Sequence, residues 1–183
     1  MKKFSVKSIV AIGIGAALFF VLGRFVSIPS PVPNTNISVQ YGLLAFLAVV
    51  YGPVAGALIG FIGHTLIDFS FGSGIWWSWV IASAVFGLLM GLSAKVLQMD
   101  EAQIGKKGLI KFNLSQVVCH LASWMVVAPV LDVYMMGEPW DKLIAQGLMA
   151  GIANAVTTAI VGSLLCVAYA ATKTKAGSLS KED

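Results

Sequence analysis

Apolar residues along this chain fall in long unbroken runs, and short polar breaks separate them. Six runs predict membrane-spanning helices: residues 8–26, 39–51, 53–69, 76–97, 112–134 and 142–171. About 20 apolar residues cross the hydrocarbon core as a helix. The second run is short for a full crossing, and the sixth is long enough to tilt or to extend beyond the bilayer. The second and third are divided at Gly52-Pro53, because the residue before a proline is biased away from helix. One kinked helix there would leave five crossings and put the termini on opposite sides. The first run follows Lys2, Lys3 and Lys7, as in a signal peptide. It reaches Phe25 with no small-residue cleavage site, so it reads as a retained helix. The expectation is an all-α membrane protein, a six-transmembrane-helix bundle forming a single membrane domain over residues 1–183.

Composition agrees. Hydrophobic residues make up 58% of the 183 and charged residues 11%, against about 25% charged in soluble domains. Mean hydropathy is +0.88. So small a domain exposes much of its surface, and lipid is the solvent that tolerates such a surface. Charge placement sets the orientation. With both termini cytoplasmic, Lys2, Lys3, Lys7, Lys95, Lys106, Lys107, Lys111, Lys173, Lys175 and Lys181 lie inside. Only Arg24 and Lys142 of the 12 basic residues lie outside. That is a strong positive-inside bias. The outer loops are then Ser27–Ser38, Ser70–Ile75 and Met135–Asp141, and Gln98–Ile110 is the longest inner one. The net charge of +4 has no basic face with aromatic or polar readers, which argues against nucleic acid as a partner. Cys119 and Cys166 sit in apolar runs and read as small buried hydrophobes. No soluble domain and no internal repeat is visible, which argues against an inverted-repeat transporter.

Ionisable groups in a bilayer cost about 2.5–3.5 kcal/mol each on insertion scales, so each needs a reason. His64 and Asp68 are four apart, on one helix face. They fit either a mutually satisfied pair that holds helices together or a polar pair lining a solute cavity. A metal site would need a third ligand. His120 is the other histidine, and helix counting puts it nearer the inner half. Arg24 ends the first run, placed to snorkel or to pair with Asp68, Asp132 or an anionic solute group. Asp132 follows Pro129 near the outer end of the fifth run, where a carboxylate can be merely interfacial.

Aromatics gather at the outer ends: Tyr41, Trp76, Trp77, Trp79, Tyr134 and Trp140. An interfacial belt accounts for such residues singly. The cluster Ile75-Trp76-Trp77-Ser78-Trp79 is denser than anchoring needs. Trp76 and Trp79 share a face suited to stacking on a flat ring, while Trp77 points elsewhere. Trp124 lies deeper, as a floor. In the loop Ser27–Asn36, prolines 29, 31 and 33 favour extended, polyproline-like backbone: a lid or an inert connector. Asn34, Asn36 and Gln40 offer neutral hydrogen-bonding groups. Small residues four apart, Ala11 with Gly15, Gly13 with Ala17 and Gly56 with Gly60, permit close helix approach within the protein or to another subunit.

The chain has no G-x-x-x-x-G-K-[ST], G-x-S-x-G or H-E-x-x-H. Four segments carry a resemblance: AIGIGAALFFVLGRF (11–25), IPSPVPNTNISVQY (28–41), YGPVAGALIGFIGHTLID (51–68) and IWWSWVIASAVFG (75–87). They resemble the S components of energy-coupling-factor (ECF) transporters, in particular the ECF-type riboflavin transporter S components. The second half of the chain matches in hydropathy more than in motif. The resemblance implies a six-helix bundle with cytoplasmic termini and an outer solute site closed by loops. It implies three partners, a transmembrane coupling protein and two ABC-type ATPases. It also implies docking through small residues of the first helix, where Ala11, Gly13, Gly15 and Ala17 match with some glycines for alanines. Metal-specific S components carry an early histidine; this chain begins Met-Lys-Lys, which argues against nickel or cobalt.

The expected function is substrate capture for an ATP-driven vitamin importer, a multi-pass protein of the bacterial cell membrane. It is expected to bind riboflavin, or else another vitamin or precursor such as cobalamin or a thiamine precursor. No cofactor, resident metal or catalytic residue is expected. The expected site is Asn34, Asn36, Gln40, Tyr41, His64, Asp68, Trp76, Trp79 and Trp124, with Arg24 and Asp132 as gate or supporting charges. Two competing classes are an intramembrane metal-dependent enzyme using His64, Asp68 and His120, and a scaffold whose polar residues only glue helices.

Overall fold

The computed structural model of the chain describes residues 5–97 and 106–172. Lys2, Lys3, Lys173, Lys175, Lys181 and most of the inner loop Gln98–Ile110 lie outside the described residues. The described chain is helical apart from one two-stranded ladder. The elements are α1 (Val6–Phe25), β1 (Ile28–Pro29), β2 (Asn36–Ile37), α2 (Gln40–Tyr51), α3 (Pro53–Phe71), α4 (Trp77–Val96), α5 (Lys106–Leu121), a π-helical segment (Ala122–Val127), α6 (Ala128–Met136) and α7 (Trp140–Ala171). Five helical stretches among the described residues are long and apolar enough to cross a membrane: α1, α3, α4, the continuous stretch Lys107–Met136, and α7. At 12 residues α2 is shorter than a crossing needs.

Helices α2 and α3 are separate, and Gly52 is the reason. Its φ of 90° is a conformation glycine adopts freely, and Pro53 opens α3 where its missing N–H costs nothing. The short α2 is the hub of the bundle, packed against α1, α3, α4 and α7. Its Leu44, Ala45 and Ala48 are wholly buried. Helix α3 lies between α1 and α4, and its crossing with α4 is the tightest. A side chain on Gly56 would strike the Gly87 carbonyl, and one on Gly60 the Ser83 carbonyl. The Gly56/Gly60 stripe thus serves contact within the protein.

The fifth stretch departs from a plain α-helix. Pro129 has no N–H to give the residue-125 carbonyl, and its ring crowds that carbonyl. The turn ahead of it widens into the π segment, which carries Trp124.

The polarity of the bundle is inverted relative to a soluble protein. Ile144, Leu148, Ile152, Val156, Ile160 and Leu164 form an exposed stripe along α7. The opposite face buries Gln146, Asn154 and Thr158. Ser78, Ser83, His120 and Asp132 are buried too. A bilayer solvates such an exterior, and polar groups go inward where partners exist.

Candidate functional site

At the end of the bundle that carries the β1–β2 hairpin, a cavity of about 620 Å³ opens between the helices. Its lining includes Asn34 and Asn36 of the hairpin, Gln40 and Tyr41 of α2, and His64 and Asp68 of α3. Trp76 and Trp79 at the start of α4 and Trp124 of the π segment complete the set expected from the sequence. Lys142, Gln146 and Asn154 of α7 also line it. The first expectation changed here concerns the proline-rich loop. It is extended, but folded back as an antiparallel pair, with Ile28 opposite Ile37 and Pro29 opposite Asn36. Pro33-Asn34 makes the turn, where Asn34 takes a φ of 57° and the Thr35 N–H donates to the Val32 carbonyl at 3.2 Å. Asparagine tolerates that left-handed conformation. Helix α7 ties the hairpin down. Gln146 Nε2 donates to the Pro33 carbonyl at 3.0 Å, and the Ser38 N–H donates to Asn154 Oδ1 at 3.1 Å.

The indoles are held by one carboxylate. Asp132 is 1% exposed, so it is not an interfacial group. Its Oδ1 accepts from Trp76 Nε1 at 2.6 Å and from the Ser78 hydroxyl, and its Oδ2 accepts from Trp79 Nε1 at 2.7 Å. Trp79 in turn stacks on Trp124, centroids 5.4 Å apart and planes 22° from parallel. Trp124 Nε1 donates to His120 Nδ1 at 2.9 Å. That leaves His120 Nε2–H to donate to Thr158 Oγ1 at 3.0 Å. Both nitrogens of His120 are therefore occupied, and its ring stacks on Phe86 at 4.1 Å. His120 does not join His64 and Asp68. Among the described residues no three His, Cys, Asp or Glu side chains gather as metal ligands.

A second line of hydrogen bonds crosses three helices. Tyr41 Oη meets Ser83 Oγ at 2.9 Å, and Ser83 Oγ meets His64 Nδ1 at 2.5 Å. His64 Nε2 lies 3.5 Å from Asp68 Oδ1, and Asp68 Oδ2 accepts the Trp76 N–H at 2.9 Å. The Ser–His–Asp order is that of a hydrolytic triad. Here Ser83 is fully buried and already bonded to Tyr41, so no acyl group can reach it. The line joins α2, α3 and α4 beneath the cavity and keeps Asp68 at its wall.

Arg24 pairs with neither carboxylate among the described residues; its guanidinium lies over the rings of Phe71 and Phe25, at 4.3 and 5.6 Å. Trp77, Tyr134 and Trp140 are exposed, as a membrane belt requires. The sequence reading missed Ser78, Ser83, Gln146, Asn154 and Thr158. For α7 a signal existed, since Gln146, Asn154 and Thr158 recur at multiples of four in an otherwise apolar helix.

Comparison with known proteins extends this geometry. The family model described as "ECF-type riboflavin transporter, S component" matches residues 3–171. Proteins named only UPF0397 protein are similar over nearly their whole length. That of Lactobacillus johnsonii is 48% identical over 99% of this chain and 98% of its own. That of Enterococcus faecalis is 46% identical over 99% of each. Among solved structures, the S-component for biotin from an ECF-type ABC transporter superposes with a TM-score of 0.63, covering 89% of this chain and 90% of that one. At 16% identity that likeness concerns the fold.

Proposed function

Because the chain belongs to the family of ECF-type riboflavin transporter S components, we propose that it captures a vitamin for an ATP-driven importer of the bacterial cell membrane. Family and fold are those of transport subunits rather than enzymes. The observation that carries the proposal is the cavity itself. A volume of about 620 Å³ is that of a small-molecule site, and its lining combines indoles with amides, a histidine and a carboxylate. Such a surface suits a flat ring with polar edges. Riboflavin is the first ligand to test, with smaller ring-bearing vitamins and precursors after it. Both termini are cytoplasmic in this reading, the cavity faces outward, and the hairpin is its cover.

The experiment is recovery of the bound solute from protein purified in detergent from cells grown in rich medium. Mass spectrometry of the denatured wild-type protein is expected to return a ring-bearing vitamin, and a flavin-like visible absorbance marks it as riboflavin or a close relative. His64→Ala and Asp68→Ala are each expected to bind it at least about tenfold more weakly, as loss of one hydrogen bond to a charged group implies. Unchanged affinity in both variants would reduce the pair to structural glue.

The chain carries no nucleotide-binding motif, and its membership of the S-component family implies the partners of this reading, a transmembrane coupling protein and two ABC-type ATPases. We assign docking to the Gly13–Ala17 stripe of α1. Both residues are exposed, and nothing lies within 4 Å of a Cβ on Gly13. Gly15 is buried against Ile59 and Leu47, which occupies the other stripe, that of Ala11. Ala17→Leu is expected to leave solute affinity unchanged and to abolish co-purification of the coupling protein. Intact complex with Ala17→Leu rules this stripe out.

A further inference from the structure

We infer that the captured solute is the unphosphorylated, neutral or cationic form of its vitamin, presenting hydrogen-bond donors to Asp68. The inference rests on the capture reading above and follows from the charges around the cavity.

Asp68 is the carboxylate in the lining. One oxygen takes the Trp76 N–H and the other lies 3.5 Å from His64. A carboxylate has about four acceptor positions, so acceptor capacity remains, and 16% of its side-chain surface stays exposed. Directly behind the indole wall lies Asp132, whose three partners are all neutral: two indole N–H groups and a hydroxyl. Neither carboxylate is paired with Lys or Arg among the described residues. Two negative groups therefore flank the same tryptophans.

The positive groups are spent elsewhere. Lys142 is the Lys or Arg among the described lining residues. It pairs with Glu138 at 2.8 Å and stands over the Trp76 ring at 5.8 Å. Arg24 lies on Phe71 and Phe25 and does not line the cavity. Asp68 thus offers its unfilled acceptor positions to the solute, and with Asp132 behind the indoles the field on that wall is negative. Hydroxyl, amino and ring N–H groups match that surface. A phosphate ester, carrying about −1.5 to −2 charges at neutral pH, is repelled by it.

The test uses matched pairs that differ only by a phosphate: riboflavin with flavin mononucleotide, thiamine with thiamine monophosphate, pyridoxine with pyridoxine 5′-phosphate. Affinity is measured by tryptophan-fluorescence quenching on the full chain in lipid nanodiscs, at neutral pH. For the vitamin that binds, the phosphate ester is expected to be at least about 100-fold weaker, as like-charge juxtaposition implies. Asp68→Asn removes the charge but keeps an acceptor for the Trp76 N–H. It is expected to narrow that gap to about tenfold or less, while weakening the free vitamin. A phosphate ester that binds as well as its parent overturns the inference and leaves solute capture standing. A gap unchanged in a folded Asp68→Asn protein also overturns it, because exclusion is then steric. Binding of neither member of any pair overturns the capture reading for these vitamins, and the inference with it.

Discussion

Asp132→Ala abolishes solute capture and lowers the thermal stability of the purified protein. The side chain is 1% exposed and far in sequence from the groups it holds, so removing it strands three donors at once: Trp76 Nε1, Trp79 Nε1 and the Ser78 hydroxyl. A buried donor left without its acceptor costs about 1–3 kcal/mol, and three are stranded here. A loss of about 3 kcal/mol from binding alone is more than 100-fold in affinity. The indoles also lose their orientation. Trp79 stacks on Trp124, and Trp76 supplies the N–H that Asp68 accepts. Asp132→Asn is the sharper variant. Its oxygen can still serve two donors, but its NH₂ faces a third, a donor against a donor. It is therefore expected to rescue little, although it fills the same volume. Ligand titration and near-ultraviolet circular dichroism of the tryptophans check both variants. Wild-type affinity in Asp132→Asn would show that the carboxylate is a space-filler.

Much of this arrangement was legible beforehand because a bilayer leaves polar side chains few places to go. His64, Asp68, Gln40 and Tyr41 lie in apolar runs, so they had to face an interior, and all four line the cavity. The break at Gly52-Pro53 was legible because glycine and proline act locally. Asp132 was not readable, because its partners at 76, 78 and 79 lie more than fifty residues away; sequence distance from the end of an apolar run suggested only an interface. Arg24 was expected to snorkel or to pair with Asp68, Asp132 or an anionic solute group, and it lies over two phenylalanine rings, a placement made by tertiary packing. The alternating prolines did signal extended backbone, but whether such backbone stays single or pairs with Asn36–Ile37 is decided by the turn at Pro33-Asn34 and by α7. Hydropathy also cannot see a π turn, since an i→i+5 hydrogen bond changes no residue's polarity. The step that aims Trp124 at Trp79 was hidden for that reason.

Gly87→Leu is expected to leave little folded protein. At this position α3 and α4 touch through backbone: a Cβ on Gly87 would overlap the carbonyl group of Gly56, and a Cβ on Gly56 that of Gly87. The same contact recurs a turn away on each side, where a side chain on Gly91 would strike Pro53 and one on Gly60 the Ser83 carbonyl. Overpacking a core costs about 1–3 kcal/mol when side chains can yield. Here the obstacle is the main chain of a neighbouring helix, so the helices must part along the whole seam. Gly87→Ala should already cost about 1–3 kcal/mol in unfolding measured by denaturant or heat in detergent. The effect reaches the cavity through Ser83, which sits on that seam and bonds both Tyr41 and His64. The fraction of Gly87→Ala protein that folds should therefore bind solute more weakly than wild type. Gly13→Ala is the control, since no atom lies within 4 Å of the added carbon. If Gly87→Leu melts with the wild type while Gly13→Ala does not, the close seam lies on α1 rather than between α3 and α4. The Gly56–Gly87 contact thus sets the spacing of α3 and α4 across which Ser83 reaches His64.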